Sequence, residues 1–388
     1  MLESATAFTD LSDSRAAGSA IGTQLLEGLN GQAPDALILF VSSRYDYSEL
    51  LQSVEAACRP KIMVGSSSAG EFTSSAQGEG SVSAVALRSS ELSFTVGIGR
   101  GLRADRAAAA KELVSSFQGM STNKFLYRSA LVLADALAGH ADALVEELTA
   151  LTAGTYQFFG GGAGDDAQFS HTHLFYGTEA VSDAVVALEI LSNKPIGVGV
   201  SHGWQTATPP MRVTESEGMR LISVNAAPAV EIFEEHAAQT GQDFDRNNAL
   251  PFFLHNVLGI QGDDGYYLRV PLAVQDDGSV LCAADVPAGA TLHIMSTSSA
   301  SASDAATTAT RSAMGQLQGR NPKVALFFDC VATRLRMGKE FGVELETVQK
   351  ELGTAKYVGF NTYGQVARSQ GEFSGFHNCT AVVCILPE

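Results

Sequence analysis

The chain has 388 residues, of which 45% are hydrophobic and 17% charged, and its formal net charge is -17. This length exceeds one ordinary core, so we expect two domains. The acid excess repels nucleic acid and anionic membrane surfaces, and no apolar run reaches the length of a membrane span. We therefore expect a globular protein without nucleic-acid or membrane partners. We predict a cytoplasmic location because Met1–Asp10 carries no basic signal region.

The cysteines indicate a reducing compartment. Their number is odd, at five, and none has the Cys-x-x-Cys spacing of a zinc or redox motif. The sequence therefore predicts reduced, mostly buried thiols rather than a disulfide framework.

One α/β unit occurs three times along the chain. Each copy has an apolar strand, an amphipathic helix, a second strand that breaks at glycines, and an apolar return strand. The copies run from Ala36 to Leu87, from Ser129 to Leu191 and from Lys323 to Leu386. A strand, helix and strand with short connections favour a parallel pair, and the return strand adds an antiparallel neighbour. The predicted fold class is α/β with mixed sheets.

We predict that residues 1–31 form an N-terminal arm with one helix. An internally duplicated domain is predicted at 32–222 and a second domain at 223–388. The second domain begins with a helix predicted at Ala229–Ala238, and strands are predicted after it at Leu250–Leu258 and Tyr266–Val274. A helix is predicted over Met337–Leu352 in its third copy of the unit.

Alternating glycines follow each of the first two copies. They are Gly97 and Gly99 in one case and Gly197 and Gly199 in the other. Glycine weakens a strand, so a pair at alternate positions predicts close approach by another backbone or by a ligand on that face.

Several motifs in order resemble the FIST family, a bacterial sensory module with an N-terminal and a C-terminal domain. The N-domain pattern is seen in Val64–Glu71, in Gly160–Asp166 and in His202–Gly218. The C-domain pattern is seen in Ala227–Phe233, in Cys330 with Arg334, and in the segments Gly359–Gln365 and Phe376–Thr380. Gln365 departs from the glutamate that is usual in the family.

The resemblance implies a non-enzymatic sensor of a small-molecule ligand such as an amino acid. A subgroup of stand-alone members binds heme and reports nitric oxide to a histidine kinase or a cyclic-di-GMP enzyme. We accordingly expect this chain to signal to a separate partner protein. Whether its ligand is heme or an amino-acid-like anion stays open, with a preference for heme because the stand-alone architecture matches that subgroup.

The glycine-rich segment Gly160–Asp166 is one candidate ligand loop. It lacks the Gly-Lys-Ser/Thr ending of a phosphate-binding P-loop. It is either a tight turn that needs positive φ or a nest of backbone N–H groups that holds a carboxylate. In the second case Gly160 and Gly164 shape the nest, and Asp165 takes the ammonium group of an amino acid.

The final turn supplies further candidates for ligand binding. Arg334 can pair bidentately with a ligand carboxylate or a heme propionate, or it can form a buried ion pair. Asn361 and Tyr363 flank Gly364 and provide the few polar groups that an apolar pocket needs. Asn378 lies in the return segment of the same motif.

Four histidines are candidate axial ligands of a heme iron, which wants His, Tyr or Cys in an apolar pocket. His202 follows a glycine-interrupted strand and His377 lies in the last hairpin. His171 and His173 alternate on a predicted strand. The sequence does not select among them.

Two other classes of protein remain as alternatives. A hydrolase could use Ser67 or Cys330, although Gly65 and Gly70 are spaced one residue too far apart for a nucleophile elbow. A scaffold that binds only protein is the third class.

Overall fold

The structure, a computed structural model, describes residues 1–262, 265–368 and 375–388. Three copies of one unit, called repeats 1 to 3, form most of it, and an antiparallel sheet is inserted into repeat 3. The predicted α/β fold with mixed sheets is confirmed. Across these residues no helix is both long and apolar enough to cross a membrane.

Repeat 1 is formed, in chain order, by β1 (Leu2–Thr9), α1 (Ser14–Gly28), β2 (Ala36–Ser42), α2 (Tyr47–Cys58), β3 (Met63–Ser68), β4 (Glu71–Thr73), β5 (Gln77–Gly78) and β6 (Val82–Ser89). Repeat 2 is formed by β7 (Ser93–Arg100), α3 (Arg106–Ser115), β8 (Tyr127–Ala134), α4 (Ala141–Leu151), β9 (Gln157–Gly162), β10 (Leu174–Tyr176), β11 (Glu179–Val181) and β12 (Ala184–Ser192).

Repeat 3 opens with β13 (Gly197–Ser201). The insertion then contributes β14 (Gln205–Thr206), β15 (Met211–Glu217), β16 (Arg220–Val224), β17 (Ala227–Pro228), α5 (Val230–Thr240), α6 (Leu250–Phe253), β18 (Val257–Gly262), β19 (Gly265–Arg269), β20 (Pro271–Val274), β21 (Val280–Cys282) and β22 (Thr291–Ser296). Repeat 3 resumes with α7 (Ser299–Gly315), β23 (Pro322–Cys330), α8 (Val331–Met337), α9 (Phe341–Leu352), β24 (Lys356–Thr362), β25 (Gln365–Arg368), β26 (Gly375–His377) and β27 (Ala381–Pro387).

The hairpin strands of each repeat leave their own sheet and pair with another repeat. The strand β4 of repeat 1 pairs with β24 of repeat 3, β10 of repeat 2 pairs with β3 of repeat 1, and β25 of repeat 3 pairs with β9 of repeat 2. Each repeat therefore completes the sheet of a different repeat, and the three form a closed ring. Within each sheet the central pair is parallel and the return strand antiparallel, as predicted.

The inner faces of the three sheets bury one shared core. Phe40 stacks on Phe360 with ring centroids 4.2 Å apart, and Phe159 meets Phe328 at 6.3 Å. All four rings are fully buried in the same cluster. The helices cover the outer faces, where each repeat has a smaller core of its own. The nine-stranded inserted sheet packs its own core against α5 and α6.

Local chemistry explains where the helices begin. Asp13, Asp46 and Asp105 each accept a hydrogen bond from a backbone N–H in the first turn of α1, α2 and α3. Such capping satisfies donors that a helix leaves unpaired at its start.

Three sequence predictions need correction. Residues 1–31 contain the predicted helix, but Leu2–Thr9 is a strand that pairs with β6, and small alanines concealed its alternating pattern. The predicted strand Leu250–Leu258 begins instead as helix α6, with proline in its first turn. The predicted helix Met337–Leu352 is broken at Gly338, whose φ is 53°.

Candidate functional site at the junction of three turns

The three glycine turns meet at one end of the ring and form what we call the turn junction: Ser67–Gly70, Gly161–Asp166 and Asn361–Gly364. The N–H of Ala69 donates to the carbonyl of Asn361 at 3.1 Å, and the N–H of Gly164 donates to Ser67 at 3.0 Å. The N–H of Gly162 donates to the carbonyl of Gly364 at 2.8 Å. Each turn is thus bonded to both others.

The glycines predicted to cradle a ligand contact the protein instead. A Cβ on Gly160 would lie 2.1 Å from the carbonyl oxygen of Val132, and one on Gly164 would lie 2.8 Å from the nitrogen of Ala69. At Gly364 it would lie 2.1 Å from the ring of Phe376. Gly160 has the positive φ, 139°, that the tight-turn interpretation requires, although it lies within β9 and the turn follows it.

The carboxylate of Asp165 is held by backbone N–H groups of the segment that follows the Gly161–Asp166 turn. It accepts hydrogen bonds from the N–H groups of Phe169, Ser170 and His171 at 2.7–2.8 Å and from the hydroxyl of Tyr363. Burial opposes its ionisation, but these hydrogen bonds prevail and lower the pKa of Asp165. Both oxygens of Asp165 therefore accept hydrogen bonds within the protein, and its role in holding a ligand ammonium group stays a prediction.

In repeats 1 and 3 the acid or amide that follows the turn binds the residue that leads into the return strand. Glu71 accepts from the N–H and the hydroxyl of Ser81 at 2.9 and 2.6 Å. At the matching place in repeat 3, the Gln365 side chain donates to Thr362 at 2.6 Å and accepts from the N–H of Thr380 at 3.3 Å. Burial raises the pKa of Glu71 to about 7. The amide at 365 therefore supports the turn without a charge.

An enclosed space of about 250 Å³, called the apolar cavity, lies between the turn junction and the inserted sheet. Its walls include Leu137 and Phe169 from repeat 2, Leu254 and Leu272 from the insertion, and Leu335 from α8. Phe169 and Leu335 are 40% and 41% exposed. They are among the few large hydrophobic side chains on the surface, and they mark the cavity mouth.

Few polar groups face the apolar cavity. Tyr363 stacks on Phe169 with ring centroids 4.4 Å apart, and its hydroxyl donates a hydrogen bond to Asp165. Asn378 accepts from the N–H of Val270 at 3.4 Å, and Cys330 lines the wall beside them. A mostly apolar cavity with a few convergent polar groups is the usual form of a small-molecule site.

A second space of about 400 Å³, called the arginine pocket, contains the other predicted residues. Arg334 and Asn361 line it, together with Lys339. One guanidinium nitrogen of Arg334 pairs with the exposed Glu79 at 2.7 Å, while its Nε has no hydrogen-bond partner. Asn361 is 1% exposed, and neither atom of its side-chain amide has a partner among the described residues. An unsatisfied buried amide is costly, so its presence calls for an explanation.

The candidate histidines are scattered. His202 is half-buried and its ring accepts the N–H of Trp204 at 3.3 Å, while His377 stacks on Tyr267 with centroids 5.6 Å apart. His171 and His173 precede the strand, which begins at Leu174, and their N–H groups donate to the side chains of Asp165 and Ser67 and not to backbone carbonyls. That strand prediction was wrong.

The described part of the chain contains no group of three or more His, Cys, Asp and Glu side chains that could hold a metal ion. Ser67, the nucleophile of the hydrolase alternative, is fully buried, and its hydroxyl accepts a backbone N–H from His173 at 2.8 Å.

The sequence did not reveal the cavity walls. Leu137 and Phe169 belong to repeat 2, Leu272 to the insertion and Leu335 to repeat 3, and each looks like an ordinary apolar residue in its own segment. The exposure of Phe169 and its φ of 53° are set by the fold and have no signal in the sequence.

The fold and the two cavities define a class: an α/β protein of three interlocked repeats with an inserted sheet, and with enclosed space where they meet. The chain belongs to the FIST family. The FIST N domain matches residues 35–227 and the FIST C domain matches residues 229–368. FIST domains are sensory domains for small ligands.

Other comparisons add little. No curated protein matches the chain. Among solved structures, cyanuric acid hydrolase from A. caulinodans is 6% identical with a TM-score of 0.34, covering 100% of both chains. PurLQS from Thermotoga maritima is 12% identical with a TM-score of 0.24, covering 100% of this chain and 72% of that chain. These likenesses are too distant to bear on function.

Proposed function

We propose that this protein is a sensor whose ligand, a compact and largely apolar molecule, binds in the apolar cavity. The observation that supports the proposal is that residues from both FIST domains line the apolar cavity. Leu137 and Phe169 lie in the FIST N match, and Leu254 and Leu272 lie in the FIST C match. A ligand held between the two would favour one relative arrangement of them, which is how a binding event becomes a signal.

The size of the cavity limits the ligand. A buried apolar space of about 150 Å³ is enough for benzene. About 250 Å³ therefore suits a substituted monocyclic or branched molecule. Tyr363 and Asn378 would orient one polar end of it, and the exposed Phe169 and Leu335 would close over the other.

Heme binding and nitric oxide detection stay predictions from the family resemblance. Among the described residues that line the apolar cavity, none is His171, His173, His202 or His377, and the volume is small for a porphyrin. Because the four candidate histidines do not line this cavity and its volume is small for a porphyrin, we favour a ligand without iron.

The arginine pocket supports a second candidate, an amino-acid-like carboxylate. The amide of Asn361 offers a donor and an acceptor, both without a partner in the described chain, beside the cationic Arg334. A carboxylate would accept from the donors, and an ammonium group would donate to the Asn361 oxygen. With either candidate ligand, the protein would signal to a separate partner, such as a histidine kinase or a cyclic-di-GMP enzyme, as the resemblance implies.

The test is a thermal-shift screen on the purified chain, after its absorption spectrum has been recorded for heme. The panel contains monocyclic aromatic and branched aliphatic compounds, with and without a carboxylate. A ligand that binds only the native state raises its melting temperature.

Matched variants locate the binding. Ala283 is a half-buried lining residue, and Ala283→Phe places a ring in the apolar cavity. Ala273 is half-buried on the neighbouring strand and does not line it, so Ala273→Phe is the control. We expect the shift to survive in Ala273→Phe and to vanish in Ala283→Phe. A shift that persists in Ala283→Phe, or no shift with any compound, would refute the proposal.

A further inference from the structure

Two cysteines lie side by side at the wall of the apolar cavity. Cys330 is the last residue of β23, is 3% exposed and lines the cavity. Cys379 immediately precedes the final strand, is 5% exposed and packs in the same cluster as Cys330. The antiparallel pairing of β23 with β27 ends at Phe328 and Val382, which places both cysteines just beyond the same end of the ladder, where the Cys379 thiol can donate to the sulfur of Cys330. This pair takes no part in the proposed ligand binding.

The pair is electrostatically asymmetric. The hydrogen bond from Cys379 outweighs burial and lowers the pKa of Cys330 to about 6. The same hydrogen bond, together with burial, raises the pKa of Cys379. The two pKa values are thus shifted in opposite directions, so Cys330 is the sulfur that ionises first and Cys379 keeps its proton longer. The thiolate is the nucleophilic form of cysteine.

Cys282 provides an internal contrast because it lines the same cavity. Burial raises its pKa to about 12, and no neighbouring thiol offsets that effect. Enclosure in the cavity alone therefore does not activate a thiol; the Cys379 neighbour makes the difference.

We propose that Cys330 and Cys379 form a dithiol that a compact organic hydroperoxide, entering the apolar cavity, oxidises to a disulfide. The cavity selects the class of oxidant because its walls are apolar and its mouth is lined by Phe169 and Leu335. The inference depends on access to the cavity and not on the identity of the sensed ligand.

The chemistry balances in two steps. The Cys330 thiolate attacks the terminal oxygen of R–O–O–H, so that an S–O bond forms and the O–O bond breaks. The leaving alkoxide takes a proton from water and becomes the alcohol, and Cys330 becomes a sulfenic acid. The sulfur of Cys379 then attacks Cys330: the S–S bond forms, the S–O bond breaks, and hydroxide leaves with the Cys379 proton as water. Two electrons pass from the sulfurs to the hydroperoxide.

The experiment treats the reduced, full chain with cumene hydroperoxide and maps its five cysteines by mass spectrometry. We expect the wild type to lose two thiols and to yield a Cys330–Cys379 cross-linked peptide. Cys379→Ser should stop at a Cys330 sulfenic acid, which dimedone traps. Cys330→Ser should slow thiol loss at least tenfold.

Cys282→Ser is the matched control from the same cavity and should still form the cross-link. Oxidation of Cys282, Cys58 or Cys384 as fast as Cys330, or the absence of the cross-link in the wild type, would overturn the proposal. Peptide mapping of the wild type decides the matter even if a variant fails to fold. The thermal-shift response of the same preparation shows separately whether ligand binding holds.

Discussion

At the turn junction, neighbouring side chains decide which predicted residues are available to a ligand. The sequence predicted Arg334, Asn361, Tyr363 and Asn378 together as candidates for ligand binding. It could not show that Arg334 and Asn361 line one space while Tyr363 and Asn378 line another. Asn361 lies within β24 and Tyr363 lies just beyond its end, at the turn formed by Gly364, so the division depends on the path of that turn and on its tertiary neighbours.

Asn361 is retained at a cost to stability, which its replacement should reveal. In Asn361→Leu the free energy of unfolding without ligand should rise by about 1–2 kcal/mol, because an unsatisfied buried amide is replaced by an apolar group of similar size. Any stabilisation by amino acids should disappear. Urea unfolding measures both effects.

Thr362→Val is the control, since the hydroxyl of this adjacent buried residue is satisfied by Gln365 at 2.6 Å. It should destabilise the protein. If Asn361→Leu destabilises as much as Thr362→Val, Asn361 is not an unpaired group that awaits a ligand.

Asp165 gives the junction a dependence on pH. The pKa of Asp165 is lowered in the folded state. Its contribution to the free energy of unfolding is therefore complete above the unfolded-state pKa of about 3.9, and it is lost as the pH falls through the folded-state pKa. Asp165→Asn should lower the free energy of unfolding by roughly 2 kcal/mol at pH 7, the scale of a hydrogen bond to a charged group. The difference from wild type should shrink below pH 4.

Denaturant unfolding at pH 7, 5 and 3 tests this dependence, with the exposed Asp276→Asn as the control for loss of one charge. A difference between wild type and Asp165→Asn that stays constant down to pH 3 would argue against a charged Asp165.

At the scale of elements, the alternating glycines let helices lie directly on strands. A Cβ on Gly199 would be 1.8 Å from the carbonyl oxygen of Ala309 in α7, and one on Gly99 would be 2.0 Å from that of Ala109 in α3. The sequence predicted close approach by a backbone or by a ligand, and the structure shows a helix backbone. Composition alone cannot distinguish the two, because both require the same missing side chain.

Gly199→Ala should destabilise the protein by about 3 kcal/mol or more, since overpacking a core typically costs about 1–3 kcal/mol and the obstacle here is backbone. Gly315→Ala on α7 meets nothing within 4 Å and should be neutral or stabilising by up to about 1 kcal/mol. Thermal unfolding distinguishes them. Equal effects would mean that α7 can move away from β13.

At the scale of the whole molecule, the repeats are visible in the sequence but their exchange of hairpins is not. The strand pattern of Ala36–Leu87 predicts β2, β3 and β6 together, because they are close in sequence and share one helix. The direction in which β4 leaves depends on the turn junction, which exists only after all three repeats have met. The ring of repeats, and the apolar cavity between it and the inserted sheet, therefore could not be predicted from the sequence.

The most direct test of the central claim is amide hydrogen exchange of the chain with and without the best ligand from the screen. A ligand in the apolar cavity should slow exchange on both of its walls, around Leu137 and Phe169 and around Val270 and Leu272. Protection confined to Gly70 and Asn361 beside the arginine pocket, or to one wall alone, would contradict a site shared by the two FIST domains.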